Sequence, residues 1–191
     1  MLSYLRRTWS QIAGTEASQL VEFAVALPLL VVFVVGIFDF GQAFNLKQKL
    51  SNAAREGARL GSSLPTGDLG TTGVTPTSVD AAKSAVTAYI IAANINDCGL
   101  AAQAAASAGS LTWTYTASGS GCPAALTLTI ERGYKFQTTV NSTQVDVLCT
   151  RVTISYPYQW HFSRVIELLA PGSNYAGVTH ISTDAIAPNT Y

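Results

Sequence analysis

Sixteen consecutive residues without a charge, Phe23 to Phe38 (FAVALPLLVVFVVGIF), constrain this chain more than any other feature. At ~1.5 Å per residue a helix of that length reaches about 24 Å. The hydrocarbon core of a bilayer is ~30 Å thick. The run spans it once Leu20–Val21 and Phe40–Phe44 are included, which requires Glu22 and Asp39 to sit near the two interfaces, be neutralised, or find partners. A carboxylate at that depth is expensive, so by default it marks a functional site. The bland alternative is an acid that merely reaches for the water. Pro28 removes one backbone donor inside the run, which membrane helices tolerate better than soluble ones.

Three origins compete for this segment. A cleaved secretory signal would use Arg6 and Arg7 as its basic region, but no A-x-A-like site follows and Glu22 interrupts the approach. A core helix of a soluble protein would not carry Val, Leu and Phe on every face. A retained membrane anchor fits best. Past Asp39 the helical pattern continues, with Leu46, Leu50, Ala53, Ala54 and Ala58 on one face. Ala54-x-x-x-Ala58 and Gly57-x-x-x-Gly61 are small-residue pairs that admit close backbone approach. They suit packing of the helix onto its own domain as well as packing against neighbouring subunits. The basic flank is heavier after the span (Lys47, Lys49, Arg55, Arg59) than before it (Arg6, Arg7), but the positive-inside rule is weak for a long following domain.

Charge narrows the class further. Eleven basic and eleven acidic residues cancel, and charged residues make up 12% of the 191. Nucleic-acid binding would need clustered Lys and Arg, so no nucleic-acid partner is expected. The three cysteines, Cys98, Cys122 and Cys149, lack C-x-x-C spacing and suggest no metal site. Outside the cytoplasm, one disulfide and one leftover thiol is the simplest count. Three pairings can be drawn. Cys98–Cys122 is favoured because both lie in turn-like sequence, whereas Cys149 falls in a strand pattern. Three small buried hydrophobes are the alternative.

The pieces Val21-Glu22-Phe23-Ala24, Leu27-Pro28, the apolar run, Gly36-Ile37-Phe38-Asp39-Phe40-Gly41 and Ala53-Ala54-Arg55-Glu56-Gly57-Ala58-Arg59 occur in order over about a quarter of the chain. They resemble the N-terminal signature of the TadE-like family, minor pilins or pseudopilins of Tad (tight adherence, Flp-type) pilus systems. That resemblance implies prepilin processing by a membrane aspartic peptidase just before the apolar segment. It implies that a glutamate at the fifth mature position neutralises the amino terminus of an adjacent subunit during assembly. Glu22 takes that role here, which puts the cut between Ala17 and Ser18. The family often has Gly before the cut, where this chain has Ala17, and the nearest upstream glycine is Gly14. A carboxylate facing an ammonium in low dielectric gains far more than it would in water.

After a Gly/Thr/Pro-rich loop at 61–77, Thr77 or Ser78 can cap a second helix, with Asp80 in its first turn and a stop near Asn96–Gly99. LAAQAAASAGS is ambiguous. Period-two alternation marks strands at Leu111/Trp113/Tyr115, Leu126/Leu128/Ile130 and Leu148/Val152/Ile154/Tyr156, the last broken at Thr150. Glu131–Tyr134 and Val140–Thr143 are expected turns. Phe162–Leu169 reads as a short helix and Val178–Ile186 as a last strand. The expected fold is α+β and pilin-like: a long N-terminal transmembrane helix, then a second helix packed on a small antiparallel sheet. The expected divisions are 1–17 as a cytoplasmic leader or tail, 18–62 as the long helix with its transmembrane part at 20–44, and 63–191 as an extracytoplasmic domain.

No H-E-x-x-H, P-loop, G-x-S-x-G or dinucleotide fingerprint occurs. His161, between Trp160 and Phe162, reads as structural, and His180 lies in the last strand pattern. No catalytic residues, cofactor or metal are expected, and the chain is not expected to be an enzyme. Its expected partners are the bacterial inner membrane, other pilin or Tad assembly subunits, and a prepilin peptidase. The expected topology is single-pass with the N-terminus in the cytoplasm. The alternative is a non-polymerising, membrane-anchored binding or scaffold protein.

Overall fold

In the computed structural model a single helix, α1, runs from Leu2 to Ser63 and continues through Pro28. The structure describes residues 2–70, 74–107, 110–162, 167, 172 and 177–190, with the side chains of 2–17 and 107 excepted. The expected leader, 1–17, therefore continues the same helix from residue 2 onward. The chain divides into two compact units: Met1–Gly41 with Trp160–Gly177, and Gln42–Gln159 with Val178–Tyr191. The second unit thus includes the C-terminal third of α1 rather than beginning after it.

Within that unit, the stripe seen in the sequence is buried. Leu50, Ala53 and Ala54 are fully covered and Ala58 nearly so, with Leu46 packed beside them. Helix α2, Thr77–Ala92, contributes Val79, Ala82, Val86 and Ile90 at helical spacing to the same core. Burial of each large aliphatic side chain stabilises by roughly 1.5–3 kcal/mol. The expected cap of α2 needs correction. Its N-cap position is Pro76, with no side-chain cap there, and Thr77 and Ser78 lie inside the helix. The Asp68 carboxylate, nine residues upstream, accepts instead from the Thr77 N–H at 2.7 Å. That hydrogen bond is the main reason its carboxyl is held below the usual range.

The sheet is an antiparallel meander in chain order: β1 (Ala106–Ser107), β2 (Thr112–Ala117), β3 (Leu126–Val140), β4 (Thr143–Gln159) and β5 (Val178–Pro188). Four of these are long and β1 is a two-residue edge strand. Leu126, Leu128 and Ile130 of β3 and Val152, Ile154 and Tyr156 of β4 turn to the core, as alternation requires. The β3–β4 hairpin closes at Asn141 and Ser142, which both take positive φ (49° and 65°) as a tight two-residue connection demands. The other expected turn is not one. At Glu131–Tyr134 β3 runs on through a register irregularity, a β-bulge. The Arg132 N–H there donates to the Leu111 carbonyl at 2.9 Å. A Cβ on Gly133 would come within 2.8 Å of the Leu111 side chain, so the glycine permits a close approach. The helix expected at 162–169 falls mostly outside the described residues.

Two long-range links close this unit. Cys98 and Cys122 form a disulfide across a separation of 24 residues. Arg132, only 2% exposed, donates from Nη1 to Thr150 Oγ1 and to Asn189 Oδ1 (3.0 Å), and from Nη2 to the Leu64 carbonyl (3.0 Å). Thr150, a break in the strand pattern by residue type, is in phase with the core and buried as part of this cluster. Burial pushes the Arg132 guanidinium below its ordinary value, and Asp68 nearby opposes that shift.

Candidate functional site

The other unit carries the apolar part of α1. From residue 18 to 42, every described side chain except Asp39 is exposed or half-exposed. Leu20, Val25 and Ile37 are 68%, 74% and 70% exposed, a waste of apolar area in water. Ser18–Ser63 is one helix with length and composition sufficient to cross a membrane. Glu22 lies exposed on this surface. The Ala17–Ser18 peptide lies inside α1, with Ser18 exposed and the Ala17 side chain among those not described.

Glu22 and Asp39 stand 17 residues apart, which is roughly 26 Å along a helix. Their surroundings differ sharply. Asp39 is 2% exposed. Its Oδ2 accepts from the backbone N–H groups of His161 (2.7 Å) and Phe162 (3.0 Å), and His161 Nδ1 lies 3.3 Å from Oδ1. The chain turn at 160–162 is thereby tied to the helix by an acceptor that satisfies two otherwise solvent-seeking amides. Phe40, Trp160 and Phe162 cluster beside it, with ring centroids 5.0 to 6.4 Å apart. The sequence places Asp39 at a membrane boundary but gives no sign of its partner, 122 residues away. The one signal it offers is a histidine set between two aromatic residues, directly after a strand.

The small residues of α1 are used at close range inside the second unit. A Cβ on Gly57 would lie 2.6 Å from Val86 Cγ2 and 3.2 Å from the Ala82 carbonyl oxygen. One on Gly61 would lie 3.1 Å from Ala82 Cβ. Ala54 and Ala58 are buried in the same core. Gly57 and Gly61 therefore seat α1 on α2 of the same chain. The charged residues of AAREGAR serve differently: Arg59 and Glu56 pair at 2.6 Å on the surface. Their hydrogen bond lowers the Glu56 carboxyl and raises the Arg59 guanidinium.

Cys149 is a free, buried thiol, and burial pushes its pKa up, away from reactive thiolate. Beside it, Phe136, Thr138, Val147, Ile186 and Pro188 line a shallow groove of about 350 Å³. Among the described residues no three His, Cys, Asp or Glu side chains group as a metal site.

This geometry defines a class: an α+β protein with one N-terminal helix fit to serve as a single-pass membrane anchor. Residues 17–59 match the family model described as TadE-like protein, so the chain carries the TadE-like segment. The match begins at Ala17, covers the apolar run, and ends at Arg59, where α1 is already seated on α2. No curated protein and no solved structure matches the chain.

Proposed function

We propose that this chain is a minor pilin or pseudopilin-like subunit that takes part in Tad-type pilus assembly at the cell envelope, and is not an enzyme. The observation that carries the proposal is the TadE-like match over residues 17–59, laid on a continuous helix whose apolar span is uncovered. In this reading the chain spans the inner membrane once, N-terminus in the cytoplasm and the α+β domain outside. A prepilin peptidase cuts between Ala17 and Ser18. Glu22 then sits at mature position five and pairs with the amino terminus of a neighbouring pilin or assembly subunit, a contact strengthened by low dielectric.

The exposed position of Glu22 supports this role, since nothing in the rest of its helix face would have to move to admit a partner. The test is intact-mass and N-terminal analysis of the protein from its native membrane, beside Glu22→Gln. A mature chain beginning at Ser18, with loss of assembly in a stably folded Glu22→Gln protein, is the expected result. An uncut chain that works equally well after Glu22→Gln would sink the polymerising mechanism.

One observation favours a second reading, a non-polymerising anchored scaffold. The small-residue stripe of α1 packs within its own chain and so is not free for helix bundling with neighbours.

A further inference from the structure

Beside the Asp39 tie, α1 carries a groove of about 460 Å³ lined by Val32, Phe33, Gly36, Ile37, Phe40 and Phe162. Its size falls in the ~300–1,000 Å³ range of small-molecule sites. We propose that this groove seats one acyl chain of a membrane phospholipid, with the Trp160–Phe162 turn lying at the headgroup boundary. The proposal rests on the reading of α1 as a membrane anchor.

Four observations carry it. First, every lining residue is apolar, so the occupant must be apolar along its buried length. Second, Gly36 makes the room. A Cβ there meets nothing within 4 Å, so the glycine relieves no clash inside the chain and instead leaves a notch open to the outside. Third, one wall is prebuilt. Phe162 is held through its own backbone N–H by Asp39, and its ring stacks at 6.4 Å on Phe40. Fourth, Trp160, its ring 5.0 Å from that of the lining Phe40, and a His161 side chain 69% exposed directly precede Phe162 in the chain, rings with an apolar body and a polar tip that suit the interface. The groove also continues the exposed apolar surface of the span itself, which in a bilayer is bathed in acyl chains.

The test uses the full-length chain in phosphatidylcholine vesicles, with Trp9 and Trp113 replaced by Phe so that Trp160 alone emits. Quenching is read with brominated acyl chains, and membrane integration by resistance to carbonate extraction. Bromines near the carbonyl end should quench Trp160 about twofold more than bromines near the methyl end. Gly36→Leu, whose Cβ meets nothing within 4 Å and whose longer side chain enters the notch, should cut that quenching by about half while extraction resistance is kept. Unquenched Trp160 in an extraction-resistant protein overturns the lipid seat and leaves the anchor standing. Extraction of the unsubstituted protein by carbonate overturns both. Disulfide-linked pairs formed through Gly36→Cys, together with unquenched Trp160, would overturn the lipid seat and assign the groove to a second copy of the chain.

Discussion

The two ends of α1 are one helix in backbone and opposites in the use of their side chains. Between residues 20 and 40 the large side chains are aliphatic or aromatic and left uncovered; between 46 and 61 the inward ones are mostly small and covered. Two glycines make the same contrast at single-atom scale. A methyl group on Gly57 would collide with Val86, and one on Gly36 would meet nothing. Surface that a protein leaves apolar must be covered by something else, lipid or partner. Surface covered within the chain is specified by packing, where one methyl group matters.

The buried cation offers the hardest challenge to this contrast. Arg132→Met should lower the unfolding free energy of the full chain in mild detergent by about 3 kcal/mol, because Thr150 Oγ1 and the Leu64 carbonyl lose their donor and Asn189 Oδ1 keeps only the Thr150 hydroxyl. Carbonate extraction of the same variant should be unchanged, since α1 keeps its apolar span. A variant that lost both would show the two regions to be one cooperative unit.

A pair of glycine substitutions probes the contrast directly. Gly57→Ala should destabilise by about 1–3 kcal/mol through overpacking against Val86. Gly36→Ala should be neutral to slightly stabilising, because nothing opposes the methyl group and alanine favours the helix by roughly 0.5–1 kcal/mol. Denaturant midpoints read the pair side by side, and equal effects would remove the distinction.

A weaker response belongs to pH, and only to the packed region. Asp68 has its carboxyl lowered by the Thr77 N–H, so its folded pKa lies below its unfolded one. The stability it adds is therefore full above the ordinary carboxylate range and lost as pH falls through the folded value. Amide exchange at Thr77–Asp80 should speed up in acid, once corrected for intrinsic rates, and Asp68→Asn should flatten that dependence. An acid response identical in Asp68→Asn would assign the fraying of α2 to another group.

Local periodicity makes much of the molecule legible. The apolar run, the Leu50/Ala54/Ala58 stripe and the alternation in β2, β3 and β4 each repeat a simple spacing, and the α+β class follows from them. The Val140–Thr143 turn is legible because Asn and Ser accept the backbone a tight hairpin needs. The bulge at Arg132 reads as a turn in sequence because a Gly next to charged residues marks both. The start of α2 misleads because Thr77 and Ser78 are good caps by type, and the Asp68 carboxylate comes from outside the window in which caps are sought.

What depends on neighbours along the chain can thus be read without coordinates: a span-length apolar helix, a second amphipathic helix, half-buried strands and a TadE-like N-terminal signature. Which polar groups meet is visible only once the chain is folded: Asp39 with the amides of 161 and 162, Arg132 with Thr150 and Asn189. The seat of α1 on α2 at Gly57 belongs with them. The physical reason is that burial is periodic and leaves its mark on every turn or every second residue. Hydrogen-bond donors and acceptors are generic, and any of many side chains satisfies a given amide. Their pairing is fixed only when the fold brings distant segments within about 3 Å of one another.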